Sequence, residues 1–209
     1  MEEKEFVIRR GFRDNSPRKL VINPGFISFE DSDRVTVSDT RLEKDSISDY
    51  RFGMRWIRFR IVYGRKYEIF IRNNENKVIR IVFKSYFGRK KQELHMLYNE
   101  ILDRLWEGYF TEIIEDYIKR HKSGEIFSVG SVLFNGEGVT ISTGIFDKTK
   151  VLIHWENVRT RNYATYFSIY SSENPSKINR GYSYLDDWNT AVLYSVLRTM
   201  LREKGIEKY

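Results

Sequence analysis

The chain has 209 residues, of which 41% are hydrophobic and 31% charged, and its mean hydropathy is −0.54. This balance is typical of a soluble globular protein and excludes a disordered or membrane-embedded chain. The sequence contains no cysteine, which excludes disulfide scaffolds, cysteine-ligated metal sites and cysteine nucleophiles. The charged start MEEKEFVIRR is unlike a signal peptide, and no apolar run reaches the roughly 20 residues that span a bilayer, so we expect a cytoplasmic protein.

The positive charge lies in the first half of the chain. The net charge is +7, from 36 basic and 29 acidic residues. Residues 1–105 contain 23 basic and 16 acidic residues, whereas residues 106–209 contain 13 of each. Within residues 51–91 there are 13 basic residues and two acidic ones, a local charge of +11. This asymmetry favours an anionic partner, and the alternative is a solvated face that only keeps the protein soluble.

Two segments near the start are expected to pair as a hairpin. Residues 17–31 contain two short apolar runs that flank an Asn-Pro-Gly triplet at 23–25. Proline fixes φ and glycine accepts positive φ, so this triplet predicts a tight turn between strands. Residues 32–50 are mostly polar and are expected to form loops and short strands. The apolar residues spaced along them are Val35, Val37, Leu42 and Ile47.

Residues 56–84 are predicted to form an antiparallel meander. Apolar residues occupy alternate positions in three runs, as expected of strands with one buried face. In the first run this alternation places Ile57, Phe59, Ile61 and Tyr63 toward the core. The predicted strands are 56–63, 67–72 and 79–84, with turns at 64–66 and 73–76.

A helix is predicted after the meander. From Leu94 to Ile118 the apolar residues recur at intervals of three and four, the spacing of an amphipathic helix. Gly124 is placed as its C-terminal cap, and Gly108 lies in its middle. The pattern therefore predicts either one long helix over about 89–122 or two helices joined at Gly108.

The second half follows the same order of elements. The Asn-Gly-Glu-Gly stretch at 135–138 predicts a hairpin turn, whereas residues 159–162 are expected to be a polar stretch outside the strands. A final helix is predicted from about Asp186 to Lys204, closed by Gly205. The predicted strands are 129–134, 139–142, 151–155, 166–170 and 178–184.

The shared order of elements predicts an internal repeat. Each half reads as a hairpin, further strands, a meander and one closing helix. Chance similarity between two antiparallel segments is the alternative. The aligned positions are 25–29 with 138–142, Ile47 with Val158, and 97–98 with 193–194.

The second half contains a strand and turn at 153–158 and a helix that ends at 193–201, and the first half contains the corresponding segments 42–47 and 94–105. In these segments the chain resembles a tandem of pleckstrin-homology-like domains, the fold of GRAM and bacterial PH-like domains. This resemblance implies an α+β, mostly β fold. Each unit would have about seven antiparallel strands in two near-orthogonal sheets, closed by a C-terminal helix. It also implies a non-enzymatic scaffold that binds phosphoinositides, phosphopeptides or proteins. The predicted domains are 1–105 and 125–209, with a helical linker at 106–124.

A basic sheet face is the candidate anion-binding site. Strand periodicity places five cations opposite the inward residues, and three more lie at the turn into the helix. Arginine forks suit phosphate and carboxylate groups. The predicted residues are Arg58, Arg60, Arg72, Arg80 and Lys84, extended by Arg89, Lys90 and Lys91.

Other functions are less favoured. Aromatic residues alternate with the same cations, which is also the pattern of a single-stranded nucleic-acid binder, although their periodicity fits a core equally well. His154 and Glu156 share a strand face, but nothing else converges on them, and no metal-ligand spacing or phosphate loop is present. We therefore expect no catalytic residue, metal site or cofactor. The sequence favours a binding or scaffold module for an acidic protein or anionic lipid surface, with nucleic acid as the alternative.

Overall fold

The computed structural model describes residues 2–11, 14–31, 39–144 and 149–207. Within these ranges the chain is mostly β, with four antiparallel sheets and a helix near its C-terminus. Its internal contacts divide it into two compact units, Met1–Thr111 and Glu112–Tyr209. The finer division into domains at 105 and 124 stays a prediction.

The first unit contains a four-stranded and a three-stranded antiparallel sheet, followed by a helix. Strands are adjacent in sheet order as they are in sequence, so each pair is a hairpin or a short connection. The first sheet is β1 (Lys4–Ile8), β2 (Arg18–Ile22), β3 (Phe26–Glu30) and β4 (Asp39–Glu43). The second is β5 (Ile47–Phe59), β6 (Val62–Asn73) and β7 (Val78–Tyr86), and helix α1 is Lys91–Leu105.

The predicted hairpin around residues 23–25 is confirmed. It joins β2 to β3, and the Asn23 amide donates a hydrogen bond of 2.9 Å to the Phe26 carbonyl. The Asn23 side chain accepts one of 2.9 Å from the Gly25 amide, as asparagine does in tight turns. Val35 and Val37, around which short strands were expected, lie outside the described residues.

The predicted turn at 64–66 is wrong. The chain reverses at Arg60 and Ile61, and residues 64–66 lie inside β6. Gly64 pairs with Tyr86 of β7, and the two strands approach so closely there that a side chain would not fit. A Cβ atom on Gly64 would lie 2.1 Å from the Ser85 carbonyl oxygen. This glycine therefore serves strand packing and not the turn that its sequence context suggests.

The turn after β6 is confirmed at 73–76. Asn73 organises it: its side-chain oxygen accepts hydrogen bonds from the amides of Glu75 at 3.1 Å and Lys77 at 2.8 Å. Its own amide donates to the Lys77 carbonyl at 3.0 Å. Asn73 is buried, so these bonds satisfy polar groups that would otherwise be costly to remove from water.

The core of the first unit lies between its sheets and helix α1. Strand β7 contacts β3, β4 and α1, which places it at the centre of the unit. Its inward residues alternate along the strand, and α1 contributes side chains at helical spacing. The buried apolar residues on these two elements are Ile79, Ile81, Phe83, Tyr98, Ile101 and Leu105.

The predicted helix is interrupted at Gly108. Helix α1 is followed by a π-helical turn at Trp106–Phe110, and then by helix α2 (Thr111–Lys122). Such a turn inserts a residue into the helical ladder, and glycine tolerates the altered backbone. Gly124 has a φ of 77° and ends the run, as predicted.

The second unit has the same arrangement of sheets. Its four-stranded sheet and three-stranded sheet are again followed by a helix. The first sheet is β8 (Phe127–Val129), β9 (Val132–Phe134), β10 (Gly138–Thr143) and β11 (Thr149–His154). The second is β12 (Val158–Asn162), β13 (Tyr166–Ser171) and β14 (Asn179–Ser183), and helix α3 is Thr190–Glu203.

Three element predictions in this unit are wrong. The run 129–134 is two strands, because Gly130 turns the chain with a φ of 57°. Residues 159–162 belong to β12, where pairing with β13 outweighs their polar character. Helix α3 begins at Thr190 and not near Asp186, because Asp187 instead accepts a hydrogen bond of 2.8 Å from the Ser183 amide.

The aligned positions of the repeat occupy equivalent elements. Ile47 and Val158 are the first residues of β5 and β12, and each follows a single 3₁₀ turn. Positions 97–98 lie in α1 and 193–194 in α3. The two units therefore share the order of their elements, including the short turn between their sheets.

Candidate functional site

The β5–β6 hairpin ends beyond the rest of its sheet. Strand β7 pairs with β6 only from Gly64 onward, whereas β5 and β6 remain paired to Phe59 and Val62. The chain turns at Arg60 and Ile61, and Arg60 has a φ of 47°. We call residues 54–65 the hairpin tip.

Large apolar side chains of the hairpin tip are exposed. Their exposed fractions are 86% for Ile61, 69% for Phe59, 63% for Trp56, 57% for Tyr63 and 41% for Met54. In contrast, Tyr67 on the same strand is buried, and its ring packs 5.3 Å from that of Tyr98 in α1. Large exposed apolar side chains concentrated in one short segment are characteristic of an interaction surface.

The hairpin tip is also strongly basic. It contains four arginines and no acidic residue: Arg55, Arg58, Arg60 and Arg65. Arg55 is 3.1 Å from the carboxylate of Glu68, which lies outside the hairpin tip and is also bound by Lys66. The other three arginines make no ion pair with any side chain in the described ranges. Their positive charge is therefore available to an external anion.

Three of the four arginines of the hairpin tip lie over its aromatic rings. The Cζ atom of Arg65 is 4.6 Å from the Trp56 ring centroid, and that of Arg58 is 5.8 Å from it. Arg60 lies 5.8 Å from the Phe59 ring. Such cation–π contacts are each worth about 0.5–1 kcal/mol at exposed sites. They hold the guanidinium groups beside the apolar surface.

The predicted basic residues do not share one face. Arg58 pairs with Tyr63, and alternation along β6 puts this pair on the face of Tyr67, toward α1. Arg80 pairs with Phe70 on the opposite face, where Arg72 and Lys84 also lie. The expectation of a common face is therefore wrong for Arg58, and Arg60 occupies the turn.

The face that carries Arg72, Arg80 and Lys84 is partly neutralised. Arg72 is 2.9 Å from Asp49, and buried Glu68 binds Arg55 and Lys66 on the same face. Among the described side chains, Arg80 and Lys84 form no ion pair. This face retains less free positive charge than the five predicted cations imply.

The remaining predicted cations lie between β7 and α1. Arg89, Lys90 and Lys91 are all exposed. Lys90 precedes the helix in the left-handed conformation, with a φ of 53°, and its ammonium group is 3.5 Å from Glu93. Anion binding by these residues and by the sheet cations stays a prediction.

Sequence reasoning missed the exposed residues of the hairpin tip. Phe59, Ile61 and Tyr63 were expected to face the core, and Arg65 was placed in a turn. The length of the alternating stretch could have revealed the hairpin. Residues 51–72 form 22 consecutive positions without a strong turn motif, far more than the ordinary strand of about six residues. A reversal inside this stretch was therefore required.

The second unit presents a smaller aromatic pair. The rings of Tyr163 and Tyr166 stack 4.4 Å apart beside the β12–β13 turn, and Arg161 lies 5.3 Å from the Tyr163 ring. Both tyrosines are less exposed, at 37% and 38%, than the apex of the hairpin tip. This pair alone does not form a comparable apolar surface.

Helix α2 carries His121, whose ring packs against a tryptophan. The His121 ring is 5.3 Å from that of Trp155, and the Lys204 ammonium lies 4.9 Å from the same tryptophan. Partial burial and the nearby charge of Lys204 lower the pKa of His121 below its ordinary value. Across the described part of the chain, no group of three or more His, Cys, Asp or Glu side chains is arranged to hold a metal ion.

None of the helices within the described ranges combines the length and apolar character needed to cross a membrane. No known protein-family model matches the chain, and no curated protein matches its sequence significantly.

Proposed function

We propose that the chain is a non-catalytic binding module that engages an anionic partner through the hairpin tip of its first unit. One observation carries this proposal: three arginines that pair with no described carboxylate lie in the same hairpin as a set of exposed apolar side chains. Exposed apolar side chains grouped in this way mark interaction sites, and the neighbouring cations attract an anionic partner.

The guanidinium groups define the chemistry of the partner. Each presents two parallel N–H donors that match the spacing of phosphate and carboxylate oxygens. Arg58, Arg60 and Arg65 would not have to break an ion pair with a described residue to bind such a group. Partner binding therefore exchanges hydrogen bonds to water for charge-assisted ones and breaks no ion pair to a described side chain.

The charge distribution supports the first unit as the binding unit. Residues 51–91 have a local charge of +11, whereas residues 106–209 are neutral overall. A field of this kind attracts anions and raises association rates. The hairpin tip lies within this segment and is its most exposed apolar part.

We further propose that each unit is a pleckstrin-homology-like domain. The succession of a four-stranded sheet, a three-stranded sheet and a helix in both units supports this assignment. The near-orthogonal packing of the two sheets is part of the proposal. Domains of this fold are mostly binding scaffolds, which agrees with a role that needs no catalytic group.

The test is equilibrium binding of the intact chain to three anionic probes. These are vesicles containing phosphatidylserine, single-stranded polyuridylate and polyglutamate, each at low and high salt. A variant with Arg58→Gln, Arg60→Gln and Arg65→Gln should bind its probe about 100-fold more weakly, from roughly fivefold per cation. High salt should weaken binding of the unaltered chain as well.

A matched variant controls for net charge. Lys150→Gln, Arg161→Gln and Lys177→Gln remove three exposed cations from the second unit and should leave binding unchanged. The proposal is wrong if none of the three probes binds. It is also wrong if the two triple variants weaken binding equally, because the effect would then reflect total charge and not the hairpin tip.

A further inference from the structure

The apolar and charged groups of the hairpin tip are ordered along its length. Ile61 and Phe59, its two most exposed apolar residues, lie at the apex. Arg58 lies one pair of residues behind the apex, and Arg65 lies two pairs further back beside Trp56. The outermost end thus carries Phe59 and Ile61 with one cation, Arg60, in the turn, and the other cations and an indole lie behind it.

This order matches the polarity gradient at the surface of a lipid bilayer. Aliphatic and phenyl groups favour the acyl boundary, whereas indole and phenol rings favour the headgroup level. Arginine side chains reach from apolar surroundings to phosphate groups. The last two residue pairs and the turn extend about 7–10 Å along the strands, comparable to the roughly 5–10 Å depth of interfacial insertion.

A nucleic acid is a poorer match to the same residues. Single-stranded nucleic acids stack their bases on open aromatic faces. The Trp56 ring instead lies against the guanidinium groups of Arg65 and Arg58, and Tyr63 packs edge-on against Phe87 at 5.5 Å. The most exposed residue, Ile61, has no aromatic ring with which to stack.

A second copy of the chain is also a poor match. Pairing two hairpin tips would bring together four arginines from each copy, with no acidic residue in either tip. Like charges placed opposite each other across strands are destabilising, and basic side chains on edge strands oppose such pairing. Charge complementarity therefore requires a negatively charged partner.

We infer that the partner of the hairpin tip is the surface of an anionic lipid bilayer, into which Ile61 and Phe59 insert while the arginines contact headgroup phosphates. This inference rests on the proposed function, since it names the source of the anionic groups. Trp56 then lies at the headgroup level. Attachment is peripheral and reversible, because one short hairpin supplies few apolar groups.

The test measures co-sedimentation of the intact chain with vesicles of phosphatidylcholine alone and of phosphatidylcholine with phosphatidylserine. Only the anionic vesicles should sediment the chain. Phe59→Ser with Ile61→Ser should weaken that binding by about tenfold or more. Val7→Ser with Ile126→Ser, which alter residues 58% and 64% exposed, should leave it unchanged, and circular dichroism should show all variants folded.

A second readout reports insertion directly. Phosphatidylserine vesicles should shift the tryptophan emission of the chain to shorter wavelength, and brominated lipids should quench it. Both effects should disappear in Trp56→Phe and persist in Trp188→Phe. If anionic vesicles bind but the apex variant binds equally well and Trp56 is not quenched, the inserted geometry is wrong.

The outcomes separate this inference from the proposed function. Binding of polyuridylate or polyglutamate without binding of anionic vesicles overturns the lipid inference and leaves the anionic-partner proposal standing. Absence of binding to all three probes overturns both. Equal binding to neutral and anionic vesicles overturns the role of the arginines.

Discussion

Arg60 combines a charged side chain with a backbone conformation that favours glycine. Its φ of 47° lies in the left-handed region, which costs a residue with a Cβ atom about 1–2 kcal/mol. Two-residue hairpin turns commonly place glycine or asparagine at such positions. Arg60→Gly should therefore raise the free energy of unfolding by about 1 kcal/mol, offset in part by the greater freedom of glycine in the unfolded chain. Urea titration followed by circular dichroism measures the change.

Arg60→Ala is the control for this prediction. It removes the same charge but keeps a Cβ atom in the left-handed region, so it should not raise stability. A stabilisation of equal size in both variants would assign the effect to charge repulsion among the arginines. The gain in Arg60→Gly should come with weaker anion binding, since the cation is lost. Stability and binding would then be in opposition at a single residue.

His121 is expected to make the stability of the second unit depend on pH. Partial burial and Lys204 lower its pKa from the ordinary value of 6.5, while Glu203 opposes and Lys122 adds to this shift. The folded chain therefore binds the proton less tightly than the unfolded chain. The contribution of His121 to the free energy of unfolding should be fully present above pH 6.5. It should be lost as the pH falls from 6.5 through the lowered pKa of the folded chain. Thermal unfolding across this window measures the slope.

The His121→Gln variant should flatten that part of the stability profile. His154→Gln, which changes an exposed histidine in the same unit, should leave the profile like that of the unaltered chain. A slope that persists in His121→Gln would assign the pH dependence to other groups. A slope of opposite sign would mean that the folded chain favours the protonated imidazole, contrary to the burial beside Lys204.

At the scale of the element, the β6–β7 pairing depends on Gly64. A Cβ atom there would meet the Ser85 carbonyl oxygen at 2.1 Å, a contact that requires backbone movement. Gly64→Ala should lower the free energy of unfolding by about 2 kcal/mol or more, because the clash lies between two backbones and not at a flexible side chain. Chemical denaturation of the intact chain is the measurement.

Gly25→Ala in the same unit is its matched control. A Cβ atom at Gly25 would lie 3.6 Å from the Asn23 side chain, an ordinary contact, so its stability should change by less than about 1 kcal/mol. Equal losses in the two variants would contradict the close approach of β6 and β7. Amide exchange along β7 should rise only in Gly64→Ala, because the pairing with β6 is what that substitution disturbs.

At the scale of the whole molecule, the two units share their order of elements but not their charge. Both units contain a four-stranded sheet, a three-stranded sheet and a helix, but the net charge of +7 lies entirely in residues 1–105. The two β-hairpins that open the three-stranded sheets illustrate the difference. In the first unit this hairpin is the hairpin tip, with four arginines, whereas the second unit places one stacked tyrosine pair there. A repeated architecture therefore carries one proposed binding surface.

Much of the element order was predictable because local chemistry enforces it. The Asn-Pro-Gly turn, the Asn73 turn and the end of the helical run at Gly124 each depend on the backbone preferences of a few adjacent residues. Two of the wrong predictions depend on pairing between strands. Gly64 lies in a strand because of its approach to Ser85, and residues 159–162 form a strand because β13 pairs with them. Ser85 is distant from Gly64 in sequence, and residues 159–162 pair with the next strand of a hairpin, so the composition of each segment alone does not predict the pairing.

The sequence by itself determined the mostly β composition, the order of repeated elements and the concentration of positive charge in the first half, because these follow from periodicity and composition. The tertiary structure decided where the long β5–β6 stretch reverses, and hence which face each arginine occupies. Moving the turn from 64–66 to Arg60 and Ile61 transfers Arg58 to the face of Tyr67 and exposes Phe59 and Ile61. The physical reason is the two-residue period of a strand: the position of one turn sets the side of every residue beyond it.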